Sequence, residues 1–405
     1  MSNSTACDIV IIGGGPAGLS VASRLAKQSL KVIVIERSPV IGEVWANHYE
    51  GLRLNTVARL SRLGGKNFPS EAGQWPSKTD VVSQLQALAQ ASDAVFKLEE
   101  SVEQLNYNAT EKTWLITTNK ASYRAPEVVL ATGGNQQAVY PDWATEVSSH
   151  CRVLHSSQYY SAAPFAKQNV LVVGGGNSGA EIACRVAETA NKVWLSLREA
   201  PLVLPKHVVG IGFTYLGLGL RHLPQGIQAR LLRRIQRHSL GDHSEYGLPL
   251  PSIAYLSGRG KERAPTFYPD FLRSVREGQV AVRGGVQTVE NGGVSVKTGI
   301  QSDDVEVLQA DSIIFATGFN PQPGIEIIHD GVDISSEIIS QACQGRLDPL
   351  PGLQVLGFVS PISGQFREIN KQSKRIAKVL KRRLAKHVAY KALSKPQQKS
   401  RPIAS

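Results

Sequence analysis

The sequence predicts an α/β protein that contains two dinucleotide-binding, Rossmann-like domains. Two glycine motifs with G-x-G-x-x-G spacing each lie between an apolar run and an amphipathic segment. A second apolar run follows each motif, so strand, loop, helix and strand occur in the order that a phosphate-binding βαβ unit requires. Two further apolar runs end in Ala-Thr-Gly, one before the second motif and one after it.

The first glycine motif follows the apolar run Ile9–Ile12, which we interpret as a strand buried on both faces. Its glycines permit a tight turn, close approach to a pyrophosphate and packing of the next helix, which we expect to reach about Ser29. The strand Val32–Ile35 leads to Glu36, whose carboxylate could bind a ribose diol of FAD or NAD. The predicted cofactor-binding residues of this motif are Gly13, Gly15, Pro16, Ala17, Gly18, Glu36 and Arg37.

The second glycine motif follows the run Val170–Val173, and its second strand ends at Arg198 instead of an acid. A guanidinium can pair with a 2′-phosphate, whereas a carboxylate would repel it, so this motif predicts an NADP site. The alternative for Arg198 is a solvated arginine at a strand end, and Lys206 could add a second positive charge to the same phosphate. The predicted residues are Gly174, Gly176, Asn177, Ser178, Gly179 and Arg198.

The two Ala-Thr-Gly segments, Glu127–Asn135 and Asp311–Asn320, suggest how the two domains are arranged. They predict cofactor contacts at Thr132, Thr317 and Gly318. This layout resembles that of flavoproteins with two dinucleotide folds, in which the NADPH domain is inserted in the FAD domain. The expected segments are 1–160 for the first part of the FAD domain, 161–304 for the NADPH domain with a helical insert at about 206–280, 305–385 for the second part of the FAD domain, and 386–405 for a basic, disordered tail.

The net charge of +12 comes from the end of the chain. Residues 371–405 contain twelve Lys or Arg and no Asp or Glu, whereas the other residues contain 33 basic and 33 acidic side chains. The neutral body argues against a nucleic-acid partner. Within the basic segment, Ile376, Leu380, Leu384 and Val388 recur at the spacing of an amphipathic helix. A docked helix with a solvated basic face is favoured there over a helix that binds anionic lipid or nucleic acid.

The cysteines and histidines show no spacing typical of metal binding, and the four cysteines contain no C-x-x-C pair. We therefore expect no metal site and no redox-active dithiol. The polar N-terminus contains no signal-peptide pattern, and no apolar run is long enough to span a membrane. These features predict a cytoplasmic protein without a transmembrane segment.

Beyond the glycine motifs, several segments resemble flavin-containing monooxygenases, the class B flavoprotein monooxygenases, and in particular their soluble YUCCA-like and bacterial branch. Gly42–Thr56 is similar to the G-G-x-W segment of that family, although Glu43 replaces the second glycine. Asn67–Lys78 is similar to its Phe-Pro loop, and Leu240–Pro251 to a segment of the YUCCA-like branch. The identifying motif is retained at His155 and Tyr159 but not at Ser149 and Cys151. The resemblance implies flavin contacts at Val44, Trp45, Gln365 and Phe366.

The resemblance implies that FAD and NADPH are the cofactors and that a C4a-hydroperoxyflavin oxygenates a small organic substrate. Dioxygen is the second substrate, and the attack would occur at nitrogen, at sulfur, or oxidatively at a carbonyl or α-keto acid. Asn55 matches the position of an active-site asparagine, and the alternative is a turn asparagine. The alternative functions are an NADPH oxidase or electron-transfer reductase that produces hydrogen peroxide, and a redox-sensing protein without turnover. In the resembling family the 206–280 insert helps to cover the substrate site, and the alternative is a surface insertion or a homodimer contact.

Overall fold

The structure is a computed structural model that describes residues 4–208, 211–220, 223–246, 248–249, 251, 265–290, 292–361 and 363–393. Its strands are β1 Thr5–Ala6, β2 Ile9–Ile12, β3 Val32–Ile35, β4 Val95–Lys97, β5 Val102–Asn108, β6 Thr113–Thr118, β7 Ser122–Ala125, β8 Glu127–Leu130, β9 Gln137–Ala138, β10 Arg152–His155, β11 Asn169–Val173, β12 Lys192–Ser196, β13 His207–Val208, β14 Ile211–Gly212, β15 Ala281–Arg283, β16 Val286–Glu290, β17 Gly293–Lys297, β18 Val305–Leu308, β19 Ser312–Phe315, β20 Phe319–Asn320, β21 Glu326–His329, β22 Val332–Asp333 and β23 Leu353–Val355. Its α-helices are α1 Pro16–Leu25, α2 Glu43–Ala46, α3 Lys78–Gln90, α4 Ala144–Val147, α5 Asn177–Ala187, α6 Phe213–Leu220, α7 Gln225–Leu240, α8 Asp270–Arg276, α9 Ser335–Cys343 and α10 Gln365–Leu393.

The first nucleotide fold is a parallel five-stranded sheet in the order β23-β8-β2-β3-β4. All four residues of β2 and of β3 are buried, as expected for strands that are covered on both faces. A mixed sheet in the order β1-β7-β6-β5-β21-β22 belongs to the same domain, because its residues share a core with β8 and β23. The protein is therefore an α/β protein whose first domain contains segments from both halves of the chain.

The second nucleotide fold is also a parallel five-stranded sheet, in the order β10-β19-β11-β12-β15. The sequence suggested that the second domain covers residues 161–304. Its sheet contains strands outside that range, because β10 comes before residue 161 and β19 after residue 304. The reason is that β19 is an apolar strand whose natural partner is β11, as β8 is the partner of β2. Each Ala-Thr-Gly segment thus contains a strand of its own nucleotide fold. The chain returns to the first domain only after β19, at β20 and β21, which is later than the expected residue 305.

The two chain connections between the domains run side by side. Between β8 and β10 the chain forms β9, and between β19 and β21 it forms β20. These two short strands pair antiparallel, with Phe319 opposite Ala138 and Asn320 opposite Gln137. The second domain is therefore inserted in the first, and its boundaries lie at this two-stranded ladder.

Helix α1 is shorter than expected, since it ends at Leu25 and does not reach Ser29. Lys27 adopts a left-handed backbone conformation with φ of 62°, which a helix cannot continue through. The backbone N–H of Lys27 donates to Asp93 Oδ2 at 2.6 Å, so a side chain that follows helix α3 stabilises the turn.

The insert at about 206–280 contains the helices α6, α7 and α8, together with the β13–β14 hairpin. Residues 252–264 within it lie outside the described residues, so its expected role over the substrate is not tested. Ala229 and Leu232 of α7 pack against Leu202, Leu204 and Phe213 in a core of their own.

Helix α10 begins at Gln365 and continues to Leu393, beyond residue 385 where we expected the disordered tail to start. The expected apolar stripe is buried at Ile376, Leu380 and Leu384, which pack against α1. The side chain of Val388 and residues 394–405 lie outside the described part of the chain. The basic segment is thus a docked helix at least as far as Leu384.

Replacing Leu380 with alanine is expected to lower the free energy of unfolding by about 2–5 kcal/mol, because Leu380 is fully buried between α10 and α1. Urea denaturation of the purified protein measures this change. Arg382→Ala, an exposed change on the same helix, serves as the control and is expected to shift stability by less than about 0.5 kcal/mol. Equal effects of the two substitutions would contradict the docking of this helix.

Candidate nucleotide-binding and active site

The first cavity lies at the carboxyl ends of β2 and β3 and has a volume of about 420 Å³. This is where ligands bind in open parallel sheets. The structure brings together here the predicted residues Gly13, Gly15, Pro16, Ala17, Glu36, Arg37, Val44, Trp45, Thr132, Gln365 and Phe366.

The first glycine turn has the geometry that a bound pyrophosphate needs. Gly13 has φ of +105°, and a Cβ there would lie 2.7 Å from the carbonyl oxygen of Ala131. Gly18 does not line the cavity, because it lies against the turn, where an added Cβ would be 1.9 Å from the carbonyl oxygen of Gly13. A Cβ at Gly15 would meet no atom within 4 Å, so the start of helix α1 faces open space in the cavity. Phosphates bind at helix N-termini of this kind.

Two polar side chains of the first cavity fit a nucleotide. The Oγ1 atom of Thr132 is buried and has no hydrogen-bond partner in the structure, so it is available to a ligand. Glu36 is fixed by two backbone N–H groups, with Gly14 donating to Oε2 at 2.6 Å and Ser38 donating to Oε1 at 2.9 Å. The carboxylate is thereby held at the edge of the cavity, and each oxygen keeps capacity to accept another hydrogen bond.

Aromatic residues form the far end of the first cavity. The ring of Trp45 makes edge contacts with His48 at 5.2 Å and with Phe366 at 5.3 Å, measured between ring centroids. Gln365 Nε2 donates to the carbonyl of Gly357 at 3.2 Å, which fixes the first residue of helix α10. The pKa of His48 is lowered by burial and by the nearby Lys78.

Sequence reasoning missed His48 and Gln136, both of which line the first cavity. His48 lies just beyond the end of α2, in a turn where its N–H donates to the carbonyl of Trp45, so helical spacing does not indicate it. Gln136 follows the first Ala-Thr-Gly segment, and its Nε2 donates to the carbonyl oxygens of Thr132 and Gly133. These contacts are local, to residues four and three positions earlier in the same loop, and they belong to no periodic pattern that would indicate a cavity residue.

The second cavity has a volume of about 590 Å³ and lies at the carboxyl ends of β11 and β12. Gly174 has φ of +114°, and a Cβ there would lie 2.4 Å from the carbonyl oxygen of Ala316, which repeats the contact of Gly13 with Ala131. Gly179 packs on Gly174 as Gly18 packs on Gly13, and Gly176 faces open space. Of the predicted residues, the structure places Gly174, Gly176, Asn177, Arg198, Thr317 and Gly318 around this cavity, and it places the exposed Ser178 outside it.

Arg198 is exposed and lines the second cavity at the end of β12. This position is the one from which a guanidinium can reach a ribose phosphate. Lys206 does not line the cavity, so the suggested second positive charge for that phosphate is wrong. Lys206 is instead half-buried near Glu181, Asp270 and Arg53, and burial lowers its pKa.

Asn55 and Thr56 lie between the two cavities. The Nδ2 of Asn55 donates to Oδ1 of Asn177, a residue of the second cavity, at 3.2 Å. Thr56 is close to Gly364, where an added Cβ would lie 2.7 Å from Thr56 Cγ2, and Gly364 precedes Gln365 of the first cavity. Asn55 itself lines neither cavity, so a direct catalytic contact at this residue stays a prediction.

His155 is buried, and both of its ring nitrogens contact backbone groups. Its Nε2 lies 3.1 Å from the carbonyl of Gly318 and therefore carries the proton. Its Nδ1 accepts from the N–H of Ser157 at 3.2 Å. Burial lowers its pKa, and the two contacts of the ring join β10 to the loop that follows β19.

Within the described residues, no group of three His, Cys, Asp or Glu side chains is arranged to hold a metal ion. In the same part of the chain, every helix is too short or too polar to cross a bilayer. The four cysteines are free thiols.

Two phosphate-cradling turns on two parallel sheets define a two-dinucleotide-fold oxidoreductase. A family model described as pyridine nucleotide-disulphide oxidoreductase matches residues 10–207. The chain is 30% identical over 322 residues to the probable indole-3-pyruvate monooxygenase YUCCA3 of Arabidopsis thaliana, with 76% of this chain and 72% of the relative covered. It is 29% identical to indole-3-pyruvate monooxygenase YUCCA1 of Oryza sativa subsp. japonica, with 76% of each chain covered. The chain belongs to the class B flavin monooxygenase family.

Solved structures share the fold. A double mutant of a flavin monooxygenase from Stenotrophomonas maltophilia superposes with a TM-score of 0.64 at 20% identity and covers 93% of this chain and 98% of its own. OTEMO in complex with FAD and NADP superposes with a TM-score of 0.71 at 17% identity, with coverage of 95% and 87%. At this identity the two structures support the two-domain fold alone.

Proposed function

We propose that the protein is a FAD- and NADPH-dependent monooxygenase that oxygenates a small organic substrate. The observation that carries this proposal is the bridge formed by Asn55 and Thr56, which brings the Asn177 end of one nucleotide cavity next to the Gln365 end of the other. The family membership supports the same chemistry.

In this proposal FAD occupies the first cavity and NADPH the second. Bound FAD supplies the capacity to accept a hydride from NADPH and to activate dioxygen. The start of α1 and the unpartnered Thr132 hydroxyl fit the flavin nucleotide, and the N-terminus of α10 points its positive end into the same cavity. Arg198 holds the 2′-phosphate, and the Trp45–Phe366 pair excludes water from one end of the first cavity.

Asn55 would position the amide of Asn177 and offer an uncharged donor or acceptor where the two cavities meet. A nitrogen, a sulfur or the carbonyl of an α-keto acid would all suit the reaction. The relatives are named as indole-3-pyruvate monooxygenases, so an aromatic α-keto acid is the first substrate to test.

The proposal is tested by incubating the FAD-loaded protein with NADPH, ¹⁸O₂ and an α-keto acid, a tertiary amine or a thioether. We expect NADPH consumption to rise with substrate and one ¹⁸O atom to enter the organic product. Hydrogen peroxide in amounts equal to the NADPH consumed, with no labelled product from any of the three classes, would instead establish the oxidase alternative.

Asn55→Ala is expected to lower the rate of product formation about tenfold or more, which corresponds to ~1.4 kcal/mol or more in the barrier. The hydrogen bond to Asn177 is lost, and peroxide per NADPH should rise because the oxygen chemistry becomes uncoupled. Asn106→Ala, which changes an exposed asparagine of β5, is the matched control and should behave as wild type. Both rates are measured by product chromatography and peroxide assay. If Asn55→Ala formed as much product and as little peroxide per NADPH as wild type, Asn55 would have no role in the active site.

A further inference from the structure

A buried hydrogen-bonded cluster joins the two domains next to the second glycine turn. The hydroxyl of Tyr49 donates to Oε2 of Glu181 at 2.9 Å, and the other carboxylate oxygen of Glu181 accepts two bonds from Arg185, at 2.9 Å and 3.1 Å. Tyr49 follows helix α2 of the first domain, whereas Glu181 and Arg185 lie on α5 of the second. Tyr49 and Glu181 are only 6% and 7% exposed, so their polar atoms need each other as hydrogen-bond partners in place of water.

The residues from 49 to 55, which we call the connecting segment, are attached to helix α5 at three points. The first is the bond of Tyr49 to Glu181. The second is the carbonyl of Gly51, which accepts from the guanidinium of Arg185 at 3.1 Å. The third is the bond of Asn55 to Asn177, the first residue of α5. The attachment points therefore follow α5 from its last turn to its N-terminus.

The same segment is continuous with the wall of the first cavity. Helix α2, which provides Val44 and Trp45 to that wall, ends only a few residues before Tyr49. The ring of Tyr49 belongs to the apolar core of the second domain and lies 5.9 Å from the ring of Tyr159, measured between centroids. A displacement of α5 must therefore move the connecting segment with it. The reason is that the Tyr49 ring is closely packed in the core beside α5 and its hydroxyl is bonded to Glu181.

The tyrosine hydroxyl stays protonated and remains a donor. Burial raises the pKa of Tyr49, and the nearby carboxylate of Glu181 raises it further. The guanidinium of Arg185 lies over the Tyr49 ring, 5.7 Å from its centroid, and neutralises the buried carboxylate. The cluster is thus a charge-balanced contact that is specific for the hydroxyl of Tyr49.

We propose that Tyr49 and Glu181 are positioning residues that couple the second glycine turn to the wall of the first cavity through the connecting segment. This inference rests on the proposed function, in which the glycine turn binds NADPH and the cavity holds the flavin. Neither side chain lines either cavity. Their effect is to place the N-terminus of α5 at the distance from Trp45 and Asn55 that hydride transfer requires.

The test compares Tyr49→Phe and Glu181→Gln with Tyr268→Phe in the FAD-loaded protein. Tyr268 is a partly buried tyrosine packed against the same core, so its substitution removes a hydroxyl without removing the bond to Glu181. Hydrogen exchange with and without NADP⁺ is the first measurement. We expect NADP⁺ to protect residues 174–179 in all four proteins, and to protect the connecting segment in wild type and Tyr268→Phe only.

The second measurement is rapid-mixing reduction by NADPH. In Tyr49→Phe the limiting rate of flavin reduction should fall about tenfold, the effect of losing one hydrogen bond to a charged acceptor, while the NADPH concentration at half-saturation stays within about twofold. Tyr49→Phe is the conservative variant, and it keeps the test decisive where Glu181→Gln fails to fold. NADP⁺ protection of the connecting segment together with a wild-type reduction rate in Tyr49→Phe would overturn the proposal. Absence of NADP⁺ protection at 174–179 in wild type would instead overturn the proposed function itself.

Discussion

Replacing Gly15 with alanine is expected to give a folded protein that purifies without FAD, whereas replacing Gly176 should leave FAD bound and abolish NADPH binding. Both glycines have negative φ, −85° and −72°, which alanine adopts without strain. An added Cβ meets no protein atom within 4 Å at either position. The methyl group instead occupies the space in front of the helix N-terminus, where a pyrophosphate must approach.

The expected loss of affinity is at least roughly 100-fold for the affected cofactor, or about 2.7 kcal/mol. Flavin absorbance per protein measures the first variant, and titration with NADP⁺ measures the second. Circular dichroism establishes that both are folded. Gly226→Ala is the matched control, since this glycine also faces open space but lies on α7, away from both cavities. A yellow Gly15→Ala protein with a full complement of FAD would contradict the assignment of the first cavity.

Arg198→Ala is expected to weaken the binding of NADPH by about 10- to 150-fold and that of NADH by less than about threefold. A charge-assisted hydrogen bond from a guanidinium contributes about 1.5–3 kcal/mol, and only NADPH has the 2′-phosphate that would accept it. Arg198 lines the second cavity at the strand end where that phosphate is expected. Rates of flavin reduction over a range of each coenzyme provide the two dissociation constants.

The control for this experiment is Arg124→Ala, which removes a surface arginine paired with Glu111 on the mixed sheet of the first domain. It tests for a general effect of lost positive charge and should leave the preference between the coenzymes unchanged. If Arg198→Ala weakened both coenzymes equally, the arginine would be a solvated strand-end residue, and the phosphate would be held elsewhere.

The parts of the fold that follow from local pattern were predictable. The strand Ile9–Ile12 and the strand Val32–Ile35 have the predicted bounds, because continuous apolar runs beside a glycine turn leave little choice of structure. The family was also correctly identified from the motifs. The buried stripe of α10 at Ile376, Leu380 and Leu384 was likewise expected, since the four-residue repeat is a helical signal.

The features that depend on which strands pair were not predictable. Strands β8 and β19 are both followed by Ala-Thr-Gly, so the sequence does not distinguish the domains to which they belong. Only the pairing of β19 with β11 shows that β19 is part of the second domain. The bond between Tyr49 and Glu181 spans 132 positions and carries no periodic signal. His48 and Gln136 were missed for the related reason that their position around a cavity depends on tertiary contacts.

The pairing of Gln137–Ala138 with Phe319–Asn320 has a consequence for how such a chain could have arisen. The chain enters the second domain after β9 and leaves it before β20, and these two strands are neighbours. The residues between them could therefore be deleted and the two remaining chain ends joined by a short turn. Insertion of one domain into another is tolerated when the two termini of the inserted domain lie close together, as they do here. The two segments of the first domain would then form one continuous chain, since their ends already lie side by side at this ladder.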